Sequence, residues 1–261
     1  MQVFIVDAFT DSPFAGNPAA VCLGHGEESW MQSVAAEFNL AETAFLDGAN
    51  GHYHLRWFTP TVEVPLCGHA TLASAHALWE SGETADVLHF RTLSGELSAA
   101  RNADGITIGL PADRPAPVTD PKVLAALATA LGVPADVPML RGDRYLLVEL
   151  AGPAAVRALR PDIGALARIE APAVVVTAPG GASGVDFVSR FFAPRLGIDE
   201  DPVTGSAHCL LGPYWAQRLG RTTLEAEQLS PRGGRMRVEV GPEVVRLTGS
   251  AVTVVRGSLV A

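Results

Sequence analysis

A segment of this chain occurs twice in altered form, and that repetition limits the folds open to it. The first copy runs Arg56-Trp57-Phe58-Thr59-Pro60 and continues as Glu63-Val64-Pro65-Leu66-Cys67-Gly68-His69-Ala70-Thr71. The second runs Arg190-Phe191-Phe192-Ala193-Pro194 and continues as Glu200-Asp201-Pro202-Val203-Thr204-Gly205-Ser206-Ala207-His208. Glu63 and Glu200 stand 137 positions apart, as do Gly68 and Gly205, whereas Arg56 and Arg190 stand 134 apart. The second copy therefore carries three extra loop residues. Each reads as an aromatic strand, a turn led by proline, and a glycine opening an Ala-rich helix. A helix start that presents free backbone N–H groups suits an anion. Two such units predict two half-sites facing each other across a cleft.

Element patterning extends the duplication. Val3–Phe9 and Ala19–Leu23 read as strands, and Trp30, Met31, Val34, Ala35 and Phe38 fall at helical spacing over Glu28–Phe38. Strand pattern returns after Asn39 and again over His52–Phe58, before the helix from Gly68 to Trp79. Pro111–Pro121 holds four prolines and is the expected linker. Beyond it, Asp120 and Pro121 open a helix that Gly132 closes. Tyr145–Leu150, Val174–Val176 and Val185–Phe192 read as strands, with a helix interrupted at Pro161 between the first two and another after Gly205. The expectation is two α+β lobes of related fold, residues 1–112 and 113–261, with the last strands free to pack back on the first lobe.

Composition narrows the function classes. A chain of 261 residues with 48% hydrophobic and 18% charged residues has a globular balance. No apolar run reaches the roughly 20 residues that span a bilayer, and the start lacks the marks of a signal peptide. A cytoplasmic location without membrane contact is expected. The net charge of −9 opposes nucleic acid, and Arg232-Gly233-Gly234-Arg235 reads as a turn entering a strand. Three cysteines, Cys22, Cys67 and Cys209, make no disulfide framework. His52-x-His54 lacks the further ligands of a metal site, and no phosphate-loop or dinucleotide fingerprint is present. Neither a metal nor an organic cofactor is expected.

Several residues could carry chemistry. Glu42, among Leu40, Ala44 and Phe45 where a helix hands over to a strand, is either a surface glutamate or a desolvated acid/base. Counting back from Arg190 by the 14 residues between Glu42 and Arg56 reaches Val176, so the second copy has no matching carboxylate and any shared site is asymmetric. A pair of opposed cysteines fails, because the repeat sets Cys67 against Thr204 and Cys209 against Leu72. Cys209 is expected to be packing. Asp201 caps a turn or receives a substrate hydrogen bond. His69 packs, caps or shuttles a proton. Gly68, Gly205 and Ser206 offer N–H groups, and Ser206 a hydroxyl, to an anion.

Taken in order, Gly16-Asn17-Pro18-Ala19-Ala20-Val21, Asn39-Leu40-Ala41-Glu42-Thr43-Ala44-Phe45, the first repeat with Cys67-Gly68-His69-Ala70-Thr71, the second with Asp201-Pro202-Val203-Thr204-Gly205-Ser206-Ala207-His208, and Gln228-Leu229-Ser230-Pro231-Arg232-Gly233-Gly234 resemble the PhzF-like isomerase family of phenazine biosynthesis. That resemblance implies the diaminopimelate-epimerase-like fold, two lobes each with a mostly antiparallel sheet around a central helix, and a homodimer. It implies a cofactor-independent isomerase that moves a proton between carbons of a small carboxylate-bearing substrate, with Glu42 as general acid/base. His69 and Asp201 would assist, and Gly68, Gly205, Ser206 and Cys67 would line the substrate site. The family's phenazine enzyme lacks the cysteine found here at Cys67. An amino-acid racemase or epimerase using Cys67 therefore stays open, as does a non-catalytic small-molecule binder on the same fold.

Overall fold

The computed structural model describes residues 1–260. The chain forms two compact units, one of Met1–Leu110 with the stretch from Arg246 onward, the other Pro111–Val245. Each is α+β, and the two repeat one connection pattern.

In the first unit, strand Gln2–Ala8 pairs antiparallel with Asn17–Leu23, and on its other edge with Ala251–Ser258. Asn17–Leu23 runs parallel to Glu42–Ala49, which pairs antiparallel with His52–Phe58. The last of these takes the two-residue strand Glu63–Val64 on one side and runs parallel to Val87–Thr92. Antiparallel strands Gly95–Asn102 and Gly105–Pro111 complete the order. The second unit repeats it. Met139–Arg141 pairs antiparallel with Tyr145–Glu149, which runs parallel to Ala173–Pro179. Phe187–Ala193 follows antiparallel, takes the short strand Ile198–Asp201, and runs parallel to Thr223–Gln228, which closes antiparallel on Gly234–Val240.

One helix in each unit is buried nearly all round. Gly68–Glu80 buries ten residues, Gly68 to Ala75 with Ala77 and Leu78, and touches the strands Gln2–Ala8, Asn17–Leu23 and Glu42–Ala49. Its small side chains (Ala70, Ala73, Ala75, Ala77) leave no polar stripe, which is the pattern of a helix enclosed by its sheet. Gly205–Leu219 is the counterpart. At Gly212 it passes so close to the sheet that a Cβ would lie 2.9 Å from Val238. Pro213 inside it cannot donate to Cys209, and the freed Cys209 carbonyl accepts the Asp113 N–H at 3.0 Å instead.

Outer helices cover the other sheet faces. Glu28–Phe38 has the expected bounds and sets Met31, Val34 and Ala35 against Val3, Cys22, Phe45 and Phe58. Pro121–Leu131 is opened by Asp120, whose side chain accepts the Lys122 N–H, and ends at Gly132. The helical stretch interrupted at Pro161 is two short helices, Pro153–Ala158 and Ile163–Leu166. The proline-rich run is not free chain. Pro111 ends a strand and Ala116–Pro117 pair with Leu140 and Arg141. Among the described residues, no helix is long and apolar enough to cross a membrane.

The duplicated arginine and glutamate meet in both units. Arg56 Nε and Nη2 donate to Glu63 Oε1 and Oε2, each at 2.7 Å, and the guanidinium lies 5.1 Å from the Phe58 ring centre. Arg190 donates likewise to Glu200 at 2.7 and 2.8 Å over Phe192, and also to the carbonyls of Val156 and Leu159. The three extra residues of the second copy lie between Pro194 and Glu200, where the chain makes a 3-10 turn, Pro194–Leu196, closed by Gly197. Because Arg190 is buried, Arg190→Ala strands a carboxylate and two carbonyls. We expect a loss of about 3 kcal/mol in urea unfolding, and a smaller loss for Arg56→Ala, whose guanidinium is more exposed. Equal losses would contradict this ranking.

Candidate active site

Three elements of the first unit converge at the start of its buried helix. Cys67 is the N-cap, in extended conformation, and its side chain makes no capping bond. Its carbonyl accepts the Thr71 hydroxyl at 2.5 Å and the Thr71 N–H at 3.2 Å. The helix then opens on Gly68 and His69. Glu42 opens the strand Glu42–Ala49, opposite Ala19 of its parallel neighbour, and Asn17 opens that neighbour.

Their side chains meet. His69 Nε2 lies 3.3 Å from Glu42 Oε2. His69 Nδ1 lies 3.2 Å from the Asn17 amide nitrogen and 3.5 Å from Cys67 Sγ. Burial lowers the His69 pKa to about 3, because an imidazolium would lose its hydration, so the ring is neutral at physiological pH. A neutral imidazole against a carboxylate that is only 14% exposed can hold, give up or receive a proton without water taking part. Of the residues named from sequence, Glu42, Cys67, Gly68 and His69 come together here, and Asn17 joins them.

Glu42, Cys67 and His69 are also metal-ligating types, with one ligand atom from each within 4.8 Å of the others. The Asn17 amide and the Cys67 sulfur lie against Nδ1 of His69, and the Glu42 carboxylate lies against Nε2. His52, by contrast, stacks on His89 with ring centres 5.0 Å apart.

The second unit builds its helix start from other groups. Thr204 is the N-cap. Asp201 Oδ2 accepts the Thr204 hydroxyl in a short hydrogen bond. Gln228 ties the turn together: its Oε1 accepts the Thr204 N–H at 2.9 Å and its Nε2 donates to the Asp201 carbonyl at 2.7 Å. Ser206 Oγ is 3.0 Å from the Tyr145 hydroxyl, whose pKa burial raises. Gly205 is the first helical residue.

Sequence reasoning missed Asn17, Tyr145 and Gln228 as site residues. Asn17 falls outside the strand Ala19–Leu23 read from the sequence, although a polar residue opening an apolar strand is a signal for a buried partner. The sequence count also misplaced one equivalence. Sheet register sets Arg56 opposite Phe45 and Arg190 opposite Val176, so Val176 matches Phe45, and Glu42 matches Ala173. The hairpin joining the paired strands is three residues longer in the second unit. The conclusion of asymmetry survives, since Ala173 is no carboxylate. Cys209 is buried and its pKa is pushed up to about 12 by burial, as befits packing.

The fold and the relatives it resembles class this chain as an isomerase. It belongs to the phenazine biosynthesis-like (PhzC-PhzF) family, which matches residues 6–257. A Pseudomonas aeruginosa protein named as an uncharacterized isomerase is 48% identical over 262 residues, covering 99% of this chain and 98% of that relative. A crystal structure of a PhzF-family phenazine biosynthesis protein from Enterococcus faecalis superposes with a TM-score of 0.91 at 41% identity, covering 98% of this chain and 97% of that one. A hydroxyproline epimerase from Agrobacterium vitis shares the fold at a TM-score of 0.66 and 13% identity, over 98% of this chain and 91% of its own.

Two buried histidines give the stability a pH dependence. His208 donates from Nδ1 to the Thr204 carbonyl at 2.8 Å, and burial lowers its pKa to about 4. His69 and His208 bind protons more weakly in the folded chain than in the unfolded one, where the value is 6.5. Below that pH the unfolded state takes up protons that the folded state refuses. Their stabilisation is thus complete above pH 6.5 and is lost as pH falls toward 4, by up to ~1.4 kcal/mol per pH unit for each histidine. Urea melts across this window should show the decline, and His208→Leu should flatten it. An unchanged slope in that variant would count against the assignment.

Proposed function

We propose that the protein is a cofactor-independent isomerase that moves a proton between carbons of a small carboxylate-bearing metabolite, with Glu42 as the general acid/base. The contact between Glu42 and a neutral, buried His69 is the observation that carries this reading. The Glu42 carboxylate takes a proton from a substrate carbon, and the electron pair left behind spreads into the substrate's conjugated system. Glu42 then returns the proton to a different carbon, so atoms and charge balance without an outside oxidant or reductant. His69 stabilises the charge that develops on the intermediate, and N–H groups at Gly68 and His69 would take a substrate carboxylate, as helix starts do with anions. Exclusion of water keeps the carried proton from exchanging. The substrate contacts proposed for Asp201, Gly205 and Ser206, and a homodimeric assembly, rest on their motifs and on the family resemblance.

The Cys67 sulfur, 3.5 Å from His69 Nδ1, supports a second reading, a racemase or epimerase with the thiol as one acid/base. Two variants separate them. Glu42→Gln should remove turnover by at least ~10³-fold while the variant stays folded, and Cys67→Ser should stay near wild type. The reaction is followed by nuclear magnetic resonance and chiral chromatography as conversion of a small unsaturated carboxylic acid offered to the enzyme into its isomer. An active Glu42→Gln would sink the first reading, and an inactive Cys67→Ser with active Glu42→Gln would establish the second.

A further inference from the structure

We propose that Asn17 is a positioning residue: it fixes the tautomer of His69, so that the ring presents an N–H, and not a lone pair, to Glu42. The inference builds on the proton-transfer role given to the Glu42–His69 pair, and its test is independent of that role.

A neutral imidazole carries one N–H and one acceptor nitrogen. The Asn17 amide nitrogen can only donate, so its 3.2 Å contact makes Nδ1 the acceptor and leaves the hydrogen on Nε2, the nitrogen that lies 3.3 Å from Glu42 Oε2 without a hydrogen bond in this structure. Asn17 is fully buried. The other group near Nδ1 is the Cys67 thiol at 3.5 Å, a weaker donor. Such orientation by a partner on the far nitrogen is the usual way in which a functional histidine is held in one form.

The backbone brings Asn17 to this position with little freedom. Gly16 before it sits at φ +64°, where a Cβ would fall 2.2 Å from the Ala8 carbonyl oxygen. Asn17 itself pairs with Ala8 across the sheet. Upstream, buried Asp7 accepts the Phe14 N–H at 2.7 Å and holds the entry to the turn. The amide is therefore delivered by the sheet, and the imidazole by the helix.

The side-chain chemistry explains why an amide serves here and a carboxylate would not. An aspartate at this position would accept a proton from Nδ1, turn the Nε2 lone pair toward Glu42 and favour the imidazolium. Asn17→Asp changes the charge and hydrogen-bonding sense with almost no change of shape, which makes it the informative variant. Asn17→Ala removes the donor without adding a charge.

The test is nuclear magnetic resonance of the full chain carrying heavy-nitrogen histidine, with His69 assigned by the signals lost in His69→Gln. Two-bond nitrogen–proton couplings distinguish the tautomers. In the wild-type protein at neutral pH we expect the Nε2–H form. Asn17→Asp should convert it to the Nδ1–H form or the imidazolium, and Asn17→Ala should give an average of both tautomers. Glu42→Gln should leave the Nε2–H form in place, because Asn17 still holds the far nitrogen; this holds whether or not Glu42 proves to be the base. An Nδ1–H tautomer in the wild-type protein, or an unchanged Nε2–H form in both Asn17 variants, would overturn the proposal. If circular dichroism shows one Asn17 variant unfolded, the other decides. If both are unfolded, the wild-type tautomer decides.

Discussion

Both helix starts hang on an arginine–glutamate fork. In each unit the guanidinium lies over a phenylalanine two residues along its own strand and grips both oxygens of a glutamate on the short strand that leads to the helix. A bidentate grip fixes orientation as well as distance, so the short strand cannot roll against the sheet. From that glutamate to the first helical glycine the two copies have equal length, Glu63 to Gly68 and Glu200 to Gly205. The three additional residues of the second copy are absorbed between the arginine and the glutamate of the fork, beside the turn at Pro194–Leu196. The spacing that matters to the helix start is thus held constant, while the loop outside it varies.

On this shared frame the two units place different polar groups at matching points. In each unit the first residue of the second strand reaches the second residue of the buried helix, Asn17 to His69 and Tyr145 to Ser206, although by sheet register Tyr145 matches Ala19 and stands two positions further along. Likewise Cys67 and Thr204 occupy the same N-cap position. One unit has an amide, an imidazole and a thiol with a carboxylate nearby; the other has a phenol and two hydroxyls, with Asp201 and Gln228 bracing the turn. Backbone hydrogen bonding sets the frame. Side chains that do not disturb it are free to differ, and there the two copies depart from each other.

Much of this frame was legible in the chain. The duplicated Arg, Glu and Gly positions, the bounds of Glu28–Phe38, and the Asp120 and Gly132 ends of a helix all follow from local chemistry. The strands Glu63–Val64, Met139–Arg141 and Ile198–Asp201 were not legible, since two to four residues carry no periodicity and exist only by pairing with a neighbour. Counting residues from Arg190 failed to locate the counterpart of Glu42, because hairpin length is free to vary where register is not. Glu42 and His69 were visible as candidates, but their contact was not. It depends on a parallel strand pair and a helix that sequence spacing alone does not bring together.

Burial by itself does not make a histidine useful, and this chain shows the difference. His69 and His208 both lie in buried helices, two and four residues past the N-cap, and both have their pKa values pushed far down by lost hydration. His208 spends its Nδ1 proton on the carbonyl of Thr204 in its own helix, and its ring packs beside Phe187. Its Nε2 atom has no hydrogen-bond partner among the described residues, whereas Nε2 of His69 has a carboxylate oxygen at 3.3 Å. His69, earlier in the helical turn, does not make that internal bond, and both of its nitrogens turn outward to side chains from two strands. One of those side chains is a carboxylate. A two-residue shift along the helix separates an imidazole that stiffens the fold from one that can take part in proton transfer.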